Sequence, residues 1–186
     1  MLARNPENID LILEESRQEV NLEDIEGSIA QLDKAATPVR PEALVGAFEE
    51  TLDRAGEYVK GGDHKNALAI LGTITGPIVC HVAKMDLAEE HDKSTIDSFF
   101  SSIEEAWSTC IAAVPVGETP EERQKDKELA EGWFKQLAGW RTQVTEKMGP
   151  MFSDPLRALK KRIQKHNKDT PASSSTAAPA TKKAKH

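Results

Sequence analysis

Cys80 and His81 stand side by side, and Glu90 and His91 follow, residue types that can ligate a metal. The spacing does not serve one, because adjacent helical residues point about 100° apart and no ligand interval repeats. No metal and no other cofactor is expected. Gly61-Gly62 precedes a helical stretch as a phosphate-cradling loop would, but the Lys-Ser/Thr of that motif is missing and a helix stop accounts for the pair. Carboxylates are abundant, 31 Asp and Glu in 186 residues, yet they are spread along polar helix faces rather than grouped with a nucleophile or base. The expectation is therefore no catalytic residue and no enzyme. Two cysteines on or beside apolar faces fit reduced thiols better than a disulfide framework, with Cys110 in the core.

Binding chemistry is easier to place. The net charge of -7 is unevenly divided: residues 1–153 hold 15 Lys or Arg against 29 Asp or Glu, and residues 154–186 hold nine basic against two acidic side chains. The acidic part repels polyanions, so any contact with nucleic acid is expected to run through residues 154–186. The candidates are Lys160, Lys161, Arg162 and Lys165, with Lys182, Lys183 and Lys185 near the C-terminus, as nuclear-import or polyanion-binding residues. Among the aromatic side chains, Phe99, Trp107, Trp133 and Trp140 fall on apolar stripes. Phe100 and Phe134 sit beside them and are the candidate anchors for a protein partner.

Those residues need elements to carry them, and the apolar side chains recur at three and four rather than two, so the elements are helices. A short helix is expected over residues 6–19 and another through Leu22, Ile25, Ile29 and Leu32, with Asn21 as N-cap. Residues 37–41 hold two prolines and read as a linker. Leu44, Phe48, Leu52, Ala55 and Val59 mark one long helix ended by Gly61-Gly62. Ala67, Leu71, Ile74, Ile78, Val82 and Met85 mark the next, running through Pro77 as a kink or restarting there with Thr75 as cap. Ile96 to Val114 marks a third. Thr119-Pro120-Glu121-Glu122 then opens a fourth with a capping box and Pro at the first position, and Leu129, Trp133, Leu137, Trp140, Val144 and Met148 follow on one face up to Gly149-Pro150. The long helices read as two antiparallel hairpins sharing one core. Leu156, Leu159 and Ile163 give a basic amphipathic helix, and the Pro-, Ser-, Thr- and Ala-rich remainder has too little apolar surface to fold.

The stretch Gly61 to Leu71, GGDHKNALAIL, resembles the turn and second helix of a tetratricopeptide repeat, with Ala67 at the close-packing position and Tyr58 at that of the aromatic. Arg54 and Ala55 stand where that repeat has Leu-Gly. A longer stretch, carried by Asp97, Phe100, Trp107, Thr119, Pro120, Glu121, Glu122, Arg123, Leu129, Leu137 and Trp140, resembles the helical region that follows SWIM zinc fingers. The finger needs Cys-x-Cys and Cys-x-His, which this chain lacks, so the resemblance implies a helical interaction module without zinc.

The resulting expectation is an all-α fold of hairpins stacked as a short tetratricopeptide-like solenoid or bundle. Residues 1–40 hold short helices and a linker, 41–150 the hairpin domain, 151–169 the basic helix and 170–186 a disordered tail. The start MLARNPENID does not read as a secretory signal, and no apolar run is read as approaching the length of a membrane span, so an intracellular and preferentially nuclear protein without membrane contacts is expected. Its function is expected to be protein-protein interaction, with carboxylates steering a basic partner. The alternative is a nucleic-acid- or chromatin-associated factor acting through the basic arm.

Overall fold

The computed structural model describes residues 22–34 and 39–169. The helix expected over residues 6–19, the cap Asn21, most of the linker and the tail lie outside the described residues. Six helices account for the architecture: α1 (Glu23–Asp33), α2 (Pro41–Lys60), α3 (His64–Lys84), α4 (Glu90–Ala113), α5 (Pro120–Met148) and α6 (Ser153–Asp169). The fold is all-helical, with no strand among the described residues.

Local chemistry explains the boundaries. Pro41, read above as linker, is the first residue of α2, where its missing N–H would be unpaired in any case. Gly62 turns the chain with φ +80°, and Asp63 then caps α3 by accepting from the Asn66 N–H at 3.2 Å. The Thr119 hydroxyl accepts from the Glu122 N–H at 3.2 Å while the Glu122 carboxylate accepts from the N–H groups of Thr119 and Glu118, both at 3.0 Å. Those bonds to the charged form hold the Glu122 carboxyl below its usual range.

Helix α3 is the centre. It is covered by α1, α2, α4 and α5, and Ile70, Leu71, Ile74, Ile78 and Val82 are all fully buried. A helix covered on several sides carries apolar residues around most of its circumference. By length and composition this 21-residue helix, which holds an 18-residue window with a mean hydropathy of 1.5, would pass for a membrane span, which corrects the view that no such run exists; here it forms the core. Pro77 lies inside this continuous helix, so the chain does not restart there. The buried Thr75 hydroxyl donates to the Leu71 carbonyl at 2.6 Å and accepts from Trp107 Nε1 at 3.1 Å.

Helices α2 and α3 lie side by side, as a hairpin should. Helices α4 and α5 do not. Instead α3, α4, α6 and α5 form a closed ring of neighbours, and α4 and α5 face each other across its middle through Trp107, Trp133 and Trp140. Two glycines of α3 permit this arrangement. A Cβ on Gly72 would fall 2.7 Å from the Trp133 ring, and one on Gly76 would fall 3.3 Å from Trp140, so each indole rests in a notch of α3.

Candidate functional site

The site is built around α6, which the sequence presents as a free basic arm. It is a member of the core. Phe152, just before it, is fully buried in the left-handed region (φ 58°) with its ring edge-on to Phe100 at 5.7 Å. Phe100 is thereby enclosed, with no exposed surface, and is not available as a partner anchor. Phe134 is half-buried against the core. The Phe152 N–H donates to the Glu104 carboxylate at 2.5 Å. Burial raises the Glu104 carboxyl above its ordinary value of 4.5; that bond opposes the shift and nearby Asp154 adds to it.

A carboxyl whose folded-state affinity for its proton is raised stabilises the fold fully below its unfolded value, and that contribution fades as pH rises through the folded value. Glu104→Gln keeps an acceptor for Phe152 without the charge. Its stability relative to the parent is expected to improve between about pH 4 and pH 7, as read by urea unfolding at the two values. An unchanged difference would remove the burial of Glu104 as its cause.

Leu156 and Leu159 continue the buried face of α6, and Arg162 and His166 complete it. Arg162 donates through Nε and Nη2 to the Asp126 carboxylate of α5, at 3.0 Å and 2.6 Å, and its side chain is 11% exposed. Its other donors reach the carbonyls of Ile111 (3.3 Å), Val114 (2.8 Å) and Pro115 (2.8 Å), at the end of α4. The buried His166 ring bonds the second Asp126 oxygen. This corrects the placement of Arg162 in a polyanion-binding cluster: its guanidinium is used up in closing the fold. Lys160, Lys161 and Lys165 are exposed, make no ion pair among the described residues, and with Arg157 give α6 a basic outer face. Lys182, Lys183 and Lys185 lie outside the described residues.

On the inner side of α6 lies a shallow, open apolar depression lined chiefly by Leu68, Ile111, Leu129, Trp133 and Leu159, with the paired Asp126 and Arg162 also in its lining. It is open to solvent and has room for little more than a water molecule, far short of a small-molecule pocket. Leu129 belongs by spacing to the core stripe of α5, yet it is 49% exposed here, the one large apolar side chain so exposed among the described residues. The α5 charges around it are largely engaged within their own helix: Glu128 accepts from Gln124 at 2.6 Å, and Glu131 lies 3.9 Å from Lys127. Sequence reasoning missed this groove because an apolar period does not say where a neighbouring helix stops covering it.

The residues considered for metal chemistry diverge. Cys80 Sγ faces Gln143 of α5 at 3.9 Å, His81 Nε2 lies 3.2 Å from Asp33 of α1, and His91 lies 3.6 Å from Glu42 of α2. No cluster able to hold a metal occurs among the described residues. Burial pushes the Cys110 thiol up to about 11, whereas Cys80 is exposed. A thiol reagent near neutral pH is therefore expected to modify one cysteine of the folded chain, Cys80, and both after denaturation. Equal rates in the folded state would contradict the buried placement of Cys110.

The chain matches no protein-family model, no curated protein and no solved structure.

Proposed function

We propose that the protein is a non-enzymatic interaction module whose groove beside Leu129 receives an acidic, amphipathic helical segment of a partner protein. The observation that carries this reading is the exposure of Leu129 over an apolar depression to which α6 contributes Leu159. An apolar anchor seated beside complementary charge is how an amphipathic helix is commonly held in a groove. The sequence reading assigned steering to carboxylates and a basic partner. The ionic side chains in the groove itself, Asp126 and Arg162, are paired with each other, and the exposed lysines of α6, the helix that supplies Leu159 to the groove, are the ground for the opposite partner sign.

The test is anisotropy of a labelled acidic amphipathic peptide with the full chain. Charge reversal at Lys160, Lys161 and Lys165 is expected to weaken binding about tenfold or more, and added salt to weaken it further. Leu129→Glu is expected to weaken it at constant salt. Binding indifferent to both changes would refute the docking site.

The second reading, contact with nucleic acid and nuclear import, is favoured by the unpaired lysines of α6 together with Lys182, Lys183 and Lys185. It predicts steeply salt-dependent DNA or RNA binding that the lysine reversals reduce and Leu129→Glu leaves intact. Deleting residues 154–186 does not separate the readings, because it removes Leu156, Leu159 and Arg162 from the core.

A further inference from the structure

We infer that α1 is a displaceable strap: it opens from α3 and α2 while the other five helices stay folded, and the seat it leaves accepts the same helix from a second copy of the chain. This seat is a surface other than the groove beside Leu129. Helix α1 packs on α3 and α2. Ile25 is its only buried residue, and Leu22, Ile29 and Leu32 are partly covered. Asp33 lies 3.2 Å from the buried His81 of α3, but the Asp33 side chain is 64% exposed and His81 Nε2 forms no hydrogen bond there. A pair open to water on one side holds a helix weakly.

The helix is also weak in itself. Its 11 residues fall short of the roughly 12–15 below which an isolated helix is marginal in water. Leu22 at the N-cap makes no side-chain cap bond, and the exposed Gly27 stands in the helix interior with open space where a Cβ would lie. No packing demand accounts for that glycine, which lowers helix stability relative to alanine. An element with so few buried contacts opens locally before the whole fold does. Seven residues separate Asp33 from Pro41, the first residue of α2, enough chain for α1 to clear its seat with α2 intact.

The seat already fits α1, and every copy carries the same helix, so exchange between copies needs no new complementarity. Tethering favours α1 in cis at micromolar concentration, because a short tether gives an effective concentration on the order of millimolar. A second copy's α1 takes the seat where the protein is concentrated or where the cis helix is spoiled.

Native-state hydrogen exchange on the full chain, in urea below the unfolding transition, tests the opening. Amides of α1 are expected to exchange about a hundredfold or more faster than those of α3, and to respond little to urea while α3 accelerates, since opening α1 exposes little surface. Gly27→Ala is expected to slow α1 about fivefold and leave α3 unchanged. Exchange of α1 at the rate of α3, an equal response of both to urea, or an α1 rate indifferent to Gly27→Ala would overturn the opening.

The seat is tested with a labelled peptide of residues 22–34, standing in for the α1 of a second copy, and the full-length Ile25→Asp variant, in which the cis helix is spoiled. Unchanged exchange of α3 shows that the variant keeps its fold. Saturable binding to the variant is expected, about tenfold or more tighter than to the parent, and lost when the peptide itself carries Ile29→Asp. No binding to the folded variant, or equal binding to variant and parent, would overturn the exchange between copies.

Discussion

Replacing Asp126 by alanine is expected to cost about 3–5 kcal/mol of stability, because it strips a buried arginine of its charged partner. The Asp126 and Arg162 side chains are each 11% exposed, so solvent screens their attraction little. Without the carboxylate, Arg162 keeps only the carbonyls of Ile111, Val114 and Pro115, and His166 loses its bond to the second oxygen. Those carbonyls sit at the C-terminal end of α4, where helical acceptors lack helical donors and a cation is favoured. One guanidinium therefore ties α4, α5 and α6 together. Arg162→Lys is not conservative in this setting, since an ammonium cannot reproduce the forked contact to the carboxylate while also meeting three carbonyls. Urea unfolding of Asp126→Ala should show the full loss at both low and high salt. A loss under about 1 kcal/mol, of the size typical for an exposed pair, would contradict the buried placement.

Trp107→Ala is expected to be as severe, about 3–5 kcal/mol from the cavity and lost apolar contact. Trp107 is fully buried, edge-on to Trp133 at 5.0 Å and tilted against Trp140 at 6.5 Å, and its Nε1–H donates to Thr75 at 3.1 Å. It fills the middle of the helical ring, where no neighbour can move inward without disturbing the α3 notches at Gly72 and Gly76. Trp107→Phe should recover much of the loss: it restores ring contact and forfeits the hydrogen bond, and the Thr75 hydroxyl still donates to Leu71. Urea midpoints for the two variants check this order. Equal losses would mean that the hydrogen bond, rather than the volume, holds the centre.

The legible parts of the sequence were local. The start of α5 could be read because Thr119, Pro120 and Glu122 act within one turn of chain, and the end of α2 because Gly62 adopts a backbone conformation other residues avoid. The all-helical class followed from periodicity. What stayed hidden depended on partners distant in sequence. Arg162 lies three residues after Leu159 and four before His166, so it sits on the buried face of α6, but a cation there reads as solvated until Asp126 arrives from another helix. Phe100 lies beside the main stripe of α4, and only the docking of Phe152 closes over it. Gly72 and Gly76 read as helix weakeners until the indoles of α5 fill their places. Leu129 shows the converse: its period says core, and the extent of the neighbouring helices leaves it half open.

The claim on which the functional account depends is that the groove beside Leu129 accepts an acidic amphipathic helix. Its most direct measurement is a titration of isotope-labelled full chain with such a peptide, followed by amide and indole chemical shifts. The account predicts saturable changes at Leu68, Leu129, Ala130, Leu159 and the Trp133 indole, with the exposed faces of α1 and α2 unmoved. Saturable changes centred on Glu49, Glu50 and Asp53 of α2, or no change at Leu129 with the peptide in excess, would contradict it.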